Sequence, residues 1–287
     1  MAQETISLLE ALKIHYPDTS NQKLRLWIQK GRILVDGVVN RRPHDRVKSE
    51  QKITRREERE QLPYGIRILY EDEDLVVVDK PEGVLSVDKD RGGTPSLHKI
   101  LKEHYAPNRV YVVHRLDREA SGAIVFALSE KALWSLKDAF ASHSIERIYL
   151  AVIEGQFMRE DGCFESYLKE EPSLNVYSVH SSDTEGDHAI THFSCTGTNG
   201  AMSVLQLRLE TGKKHQIRVH CKESGHPIVG DARYGSKESP IKRLCLHAHY
   251  LSFAHPVSGN QVSVLCEAPA GMQRLIEKVV RGGRREI

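Results

Sequence analysis

Two short stretches of this chain concentrate the side chains that could do chemistry. The first is His114-Arg115-Leu116-Asp117-Arg118-Glu119, which interrupts two apolar runs and leads into Ser121-Gly122. A carboxylate set between two arginines is held ionised, because a cation within ~4 to 6 Å lowers an Asp pKa by about 1 to 3 units. Asp117 therefore reads as a nucleophile or a base rather than an acid; taken alone, the cluster reads equally well as a structural salt bridge. The second stretch is Thr211-Gly212-Lys213-Lys214-His215-Gln216-Ile217-Arg218-Val219-His220, followed by Gly225-His226-Pro227-Ile228-Val229-Gly230-Asp231. If Lys214 to Lys222 is helical, His215, Arg218 and Lys222 share one polar stripe. Such a stripe can present several donors to phosphates, or simply form an exposed basic face.

Other chemistries find little support. Histidines lie near cysteines at His220-Cys221 and at Cys245, His247 and His249, but neither group has the spacing of a zinc ligand set. No Gly-rich phosphate loop or Walker sequence occurs. The five cysteines are scattered, with no Cys-x-x-Cys pair, and read as buried small hydrophobes in a reducing compartment. The expectation is a site without a bound metal.

The elements that must position these residues follow from the rest of the chain. At 287 residues, with 39% hydrophobic and 28% charged content, the composition is that of a globular protein with room for two domains. No apolar run approaches the ~18 to 20 residues of a membrane helix. The opening residues lack the basic and apolar regions of a signal peptide, which predicts a cytoplasmic location. Net charge is only +2, yet residues 1–62 hold 13 Lys/Arg against 9 Asp/Glu, which favours an anionic partner there.

Within residues 1–62, Ser7-Leu8-Leu9-Glu10 has capping-box spacing and starts a helix to about Tyr16. A second helix is predicted across Lys23 to Lys30, with Leu24, Trp27 and Ile28 on one face and Gly31 as a stop. Arg32-Ile33-Leu34-Val35-Asp36-Gly37-Val38-Val39 then reads as a tight hairpin about Asp-Gly. The run Arg55 to Glu60, alternating in charge sign and closed by Pro63-Tyr64-Gly65, reads as a linker. Residues 63–287 carry many short strand patterns and few helical ones, and the turn Glu71-Asp72-Glu73-Asp74 implies antiparallel neighbours. The fold class is therefore α+β: a large mixed, mainly antiparallel sheet with flanking helices, preceded by a small α/β unit.

Within residues 1–62, a stretch of about 50 residues ahead of the linker resembles the S4 RNA-binding domain: a helix pair, then Lys30 to Gly37, then the basic residues Arg41, Arg42, Arg46 and Lys48. The same charges could also do no more than solvate a helical face. The larger part resembles the RluA-type family of RNA pseudouridine synthases. The matching pieces are Val78-Asp79-Lys80-Pro81-Glu82-Gly83-Val84, His114 to Asp117 with Ser121-Gly122, Arg147-Ile148-Tyr149-Leu150-Ala151, Thr211 to His220 with Gly225 to Asp231, and Leu246-His247-Ala248 with His255-Pro256. Three departures bear on substrate choice more than on chemistry. Arg118-Glu119-Ala120 stands where a Lys and a Thr are usual, Leu85-Ser86-Val87-Asp88 replaces a common His-Pro, and Gly162 to Thr191 matches nothing in the family pattern.

The resemblance implies isomerisation of uridine to pseudouridine within RNA, without redox or intermolecular group transfer and hence without a cofactor. It assigns catalysis to Asp117, Tyr149 and Arg218, with Asp117 as nucleophile or base. Arg218 would be its permanently charged, forked partner and Tyr149 a stacking platform for uracil. Substrate contacts are expected from Arg115, which would occupy the space of an extruded uridine, and from His114, Lys80, Lys213, Lys214, His215, Gln216 and Leu246. The small unit would bind RNA through Lys23, Lys30, Arg32, Arg41 and Arg42. Family members with an S4 domain point to large-subunit ribosomal RNA, with transfer RNA as the alternative target; no membrane or obligate protein partner is expected. Two competing readings are a non-catalytic RNA-binding or ribosome-assembly protein and a glycoside hydrolase. The first leaves Asp117, Tyr149 and Arg218 unexplained, and the second lacks an evident second acid partnered with Asp117.

Overall fold

The chain divides into two compact units, residues 1–60 and 61–287. The computed structural model describes residues 5–17, 19–29, 32–40, 42–48, 50–55, 62–88, 95–173, 175–180 and 186–283. In the first unit, β1 (Thr5–Ser7) runs into α1 (Leu8–His15) at a complete capping box. The Ser7 hydroxyl accepts the Glu10 N–H at 3.2 Å, and the Glu10 carboxylate accepts the Ser7 N–H at 2.8 Å. Leu8, Ala11 and Leu12 bury against Leu24, Trp27 and Ile28 of α2 (Asn21–Gln29).

β2 (Ile33–Val35) and β3 (Val38–Asn40) then form the hairpin. Asp36 and Gly37 have φ of +49° and +81°, the paired left-handed conformation that a two-residue turn requires. β4 (Arg46–Lys48) pairs with β1, and β5 (Ile53–Arg55) with the free edge of β2. Lys30, Arg41 and residues 56–60 of the expected linker lie outside the described residues, as does the side chain of Lys23. Arg32 leads into β2 with its side chain half-buried, while Arg42 is exposed.

The second unit is built on one large sheet. Its strands are β6 (Arg67–Glu71), β7 (Leu75–Lys80), β8 (Tyr111–Val112), β9 (Ser121–Ala127), β10 (Glu146–Glu154), β11 (Asp161–Glu170), β12 (Val176–Val179), β13 (Asp187–Thr198), β14 (Met202–Leu209), β15 (Leu246–Ala254) and β16 (Gln261–Leu265). The order is β12-β11-β13-β14-β10-β15-β9-β7-β6, with β16 on β15 and β8 on β9. Every pairing is antiparallel except β9 with β15. α3 (Leu97–His104), α5 (Gln216–Glu223) and α6 (Ala270–Gly282) pack into one core, and α4 (Glu130–Ala141) into another with Leu75, Val77, Ala123 and Val125. β8 is only two residues long, because the backbone after it turns to bond with the loop that follows β7.

Register fixes what meets at the middle of the sheet. Gly122 on β9 faces Ala248 on β15, Ala248 faces Tyr149 on β10, Tyr149 faces Leu207 on β14, and Leu207 faces Phe193 on β13. Tyr149 thus stands two strands, or ~10 Å at ~4.8 Å per strand, from the start of β9, immediately downstream of Asp117. The parallel seam depends on Gly122 itself: φ is +119°, and a Cβ there would lie 2.3 Å from the Ala248 carbonyl oxygen. Gly122→Ala should therefore destabilise by ~3 kcal/mol or more, a fall in thermal midpoint of about 6 to 12 °C. A variant melting with the parent protein would show that the seam yields freely.

Candidate active site

Asp117 lies on the loop between β8 and β9, and that loop is fastened to the turn after β7. Lys80 is fully buried and donates from Nζ to the carbonyls of Pro81 (3.0 Å), Val84 (2.9 Å) and Arg118 (3.2 Å). The Gly83 N–H adds a bond to the Arg118 carbonyl at 2.8 Å. The buried Ser86 hydroxyl donates to the Leu116 carbonyl at 2.8 Å and accepts the Leu116 N–H at 3.0 Å. Lys80, expected to contact substrate, therefore has its donors occupied by main-chain oxygens and anchors the loop. Burial lowers its pKa to about 8, with Asp117 and Glu119 acting in the opposite direction.

On the opposite wall, α5 presents Arg218, only 3% exposed. Its Nε and Nη2 donate to the two oxygens of Asp231 at 2.8 Å each, a buried fork-to-fork pair. Nη1 is left for Asp117 Oδ2 at 3.4 Å and Glu119 Oε2 at 3.4 Å. Burial opposes the charge on Arg218, but the Asp231 bonds and the charges of Asp231, Asp117 and Glu119 outweigh it, and its pKa is raised. The Glu119 carboxyl is lowered despite its burial, by its own backbone N–H and by Arg218, His215 and Arg233.

Tyr149, 8% exposed, completes the cluster. Burial pushes its phenol up to about 12; Arg147 pulls it down and Asp117 pushes it further up. It is thus a protonated hydroxyl at neutral pH, with a donor to offer beside a carboxylate. Arg147, one side-chain repeat upstream on β10, is buried, and its Nε is the single buried side-chain polar atom among the described residues without a hydrogen-bond partner.

The family model described as RNA pseudouridylate synthase matches residues 74–223, which contain Asp117, Tyr149 and Arg218. The chain belongs to this family. Such enzymes are isomerases that convert uridine to pseudouridine in RNA, and this synthase is one of them. Ribosomal large subunit pseudouridine synthase D of Neisseria meningitidis is 33% identical over 283 residues, covering 91% of this chain and 75% of that protein. The Escherichia coli protein of the same name is 32% identical, covering 93% and 89%. An uncharacterized RNA pseudouridine synthase of Bacillus subtilis, YhcT, is 34% identical, covering 74% and 72%. Among solved structures, human RNA pseudouridylate synthase domain containing 1 superposes with a TM-score of 0.60 at 26% identity, covering 71% of this chain and 84% of that one. Human domain containing 4 shares the fold, with a TM-score of 0.61 at 21% identity, covering 74% and 92%.

The structure brings Asp117, Arg218 and His215 together, with Tyr149 near enough for the Asp117 charge to act on its phenol, and leaves Arg115 exposed on the same loop. It places Gln216, His114 and Leu246, other expected substrate contacts, in the scaffold, and keeps Lys213 exposed and Lys214 half-buried. Gln216 is buried: its Oε1 accepts from the Thr211 hydroxyl and the Lys213 N–H, and its Nε2 donates to the Ile190 carbonyl and the Thr191 hydroxyl. His114 Nε2 accepts the Val125 N–H at 3.1 Å and the ring stacks on Phe140, while Leu246 is a core side chain. Lys213 pairs with Asp187 at 2.8 Å, and Lys214 with Glu170. The expected exposed stripe of His215, Arg218 and Lys222 does not form, because the helix starts at Gln216 and turns Arg218 inward.

Sequence reasoning assigned nothing to three neighbours of this cluster: Asp231, within a quoted motif, and Glu119, within the Asp117 cluster, which both face Arg218, and Tyr234, whose hydroxyl lies 2.7 Å from His215 Nδ1 and which gave no local signal. A further consequence concerns acid. Burial holds His220 at about 4, His247 at about 4 and His114 at about 3, all below the ordinary value near 6.5. Each is neutral when folded. From about pH 6.5 down to about 4 the unfolded chain binds protons that the fold refuses, and stability falls by up to ~1.4 kcal/mol per pH unit for each histidine. The thermal midpoint should drop progressively from about pH 6.5 toward about pH 4.5; a flat midpoint over that window would contradict the burial assigned to these rings.

Proposed function

We propose that this synthase isomerises specific uridines of large-subunit ribosomal RNA, in the cytoplasm, with Asp117 as the reacting carboxylate. The observation that carries the assignment is the geometry of Arg218: two donors fixed on Asp231 and the third directed at Asp117. A carboxylate so held is oriented by one long contact and keeps lone pairs open on its oxygens, as either a nucleophile or a base must. Tyr149 supplies a flat face for uracil and a hydroxyl that keeps its proton. Arg115, exposed beside Asp117, is suited to fill the space left by an extruded nucleotide, a step that costs a few kcal/mol. The first unit supplies backbone affinity as an S4-like RNA-binding module. Relatives named for the large ribosomal subunit that align over more than nine-tenths of this chain support the choice of target.

During the reaction the N-glycosidic bond breaks, a carbon-carbon bond forms to uracil carbon 5, and the proton at that carbon is released. Tritium at that carbon therefore reports turnover on any RNA. Asp117→Asn should abolish release while leaving RNA affinity within about threefold, because phosphate contacts carry affinity; residual turnover would remove Asp117 from its role. Pseudouridine maps from cells with and without the protein should differ at large-subunit ribosomal positions. Loss confined to transfer RNA would replace the target, and identical maps would overturn the proposal.

A further inference from the structure

His215 has a geometry that substrate contact does not explain. It is not glycine, yet its φ is +52°, a left-handed conformation that the surrounding structure must enforce. That conformation, at the N-terminus of α5, turns the imidazole inward, and its side chain is 8% exposed. Nδ1 lies 2.7 Å from the Tyr234 hydroxyl, with the two rings edge to face at 5.6 Å. The Tyr234 oxygen already accepts the Val176 N–H at 3.2 Å. Its one proton is thus available to His215, which makes Nδ1 an acceptor and leaves the ring proton of the neutral imidazole on Nε2. Nε2 in turn faces Asp117 Oδ1 at 3.9 Å, while Arg218 addresses the other oxygen, Oδ2.

We propose that Tyr234 and His215 form a hydrogen-bond relay that positions Asp117: Tyr234 fixes the tautomer, and His215 brings its Nε2–H onto Oδ1 when the substrate closes the site. Catalytic hydrogen bonds are commonly long without substrate and tighten in the complex. Both are positioning residues. With Oδ2 on Arg218 and Oδ1 on His215, whichever oxygen reacts, the other stays hydrogen-bonded and the carboxylate cannot rotate away. The charged groups around the imidazole are Asp117 and Glu119 from the β8–β9 loop, Lys214 and Arg218 from the start of α5, and Arg233 beside Tyr234; burial together with the cations favours its neutral form. The relay also gives a place to the segment from Gly162 to Thr191. Its strand β12 holds Tyr234 through Val176, and Leu168, Val176 and Ala189 pack with Tyr234 and Val219.

The proposal rests on Asp117 as the reacting group, and its test separates the two. Tritium release is followed in single turnovers, with the full-length protein in excess over total RNA labelled at uracil carbon 5 in cells lacking the protein. Tyr234→Phe should lower the maximal rate about ten- to hundredfold, the effect of one hydrogen bond to a charged group, with the half-saturating protein concentration within about threefold. As pH is lowered well below the ordinary imidazole value of about 6.5 the deficit should shrink, because protonation of His215, made harder by burial and the neighbouring cations, places a proton on Nε2 whichever tautomer preceded it. A purely structural defect has no reason to be rescued by acid, so a constant deficit, or an unchanged rate, overturns the relay. Should Tyr234→Phe fail to fold, His215→Gln, which keeps a donor, must outperform His215→Leu; equal rates overturn it equally. If Asp117→Asn is inactive while Tyr234→Phe is unaffected, the relay alone falls; if Asp117→Asn turns over, the reading beneath it falls.

Discussion

Arg218 is 3% exposed and carries a full charge, so the protein must neutralise it where it sits. A lone buried cation costs several kcal/mol even after relaxation, and removing the partner of a buried pair costs about 3 to 5 kcal/mol. Asp231, as buried as Arg218, meets this demand with two bonds of 2.8 Å. The consequence for chemistry lies in what remains. Because Asp231 takes the two short bonds, Asp117 receives one contact of 3.4 Å and shares even that donor with Glu119. One guanidinium thus faces three carboxylates, and Asp117 is oriented by a charge that does not quench it.

The sheet supplies the second constraint. An α5 that buries Arg218 is useful only if the Asp117 loop and Tyr149 are delivered opposite it, and both are delivered by pairing. The parallel seam at Gly122 and Ala248 sets where β9 begins, and the next pairing sets Tyr149 against Ala248. A one-residue slip would turn Tyr149 to the other face. Lys80 completes the frame: the last residue of β7, it pairs with Gly122 and ties the Arg118 carbonyl beside Asp117 to the same seam.

Where local physics decides the structure, the sequence was legible. Ser7 and Glu10 make their capping box, Asp36-Gly37 makes its turn, and the acidic turn after Glu71 caps itself, with Asp72 Oδ1 accepting the N–H groups of Asp74 and Leu75. The flanking arginines expected to hold Asp117 do not reach it: Arg115 is exposed, Arg118 donates to the Gly83 carbonyl, and the cation beside Asp117 is Arg218, 101 residues away in sequence. What was not legible depends on distant partners. β11 and β13 are half-exposed strands in which polar residues alternate with Phe164, Leu168, Ala189 and Phe193, so no continuous apolar run marks them. Lys80 and Gln216 are polar by type, and only the fold shows that their donors and acceptors are consumed by buried main-chain and hydroxyl groups.

The two lysines before α5 are paired with carboxylates of β13 and β11, not with Asp117. Lys213 pairs with Asp187 at the start of β13, and Lys214 with Glu170 at the end of β11. Ion pairs at this degree of exposure are worth roughly 0 to 1 kcal/mol, too little to withhold either ammonium from a phosphate. Were RNA bound there under the proposed function, each lysine would exchange a carboxylate for a phosphodiester, and the released carboxylate would stay nearby as a repelling charge. Net attraction to any RNA backbone would therefore be reduced, while an RNA shaped to keep its phosphates clear of Asp187 and Glu170 would lose less. Under the proposed function, a segment that contributes acidic partners rather than further base would weaken general attraction to polyanions and leave selection to RNA shape.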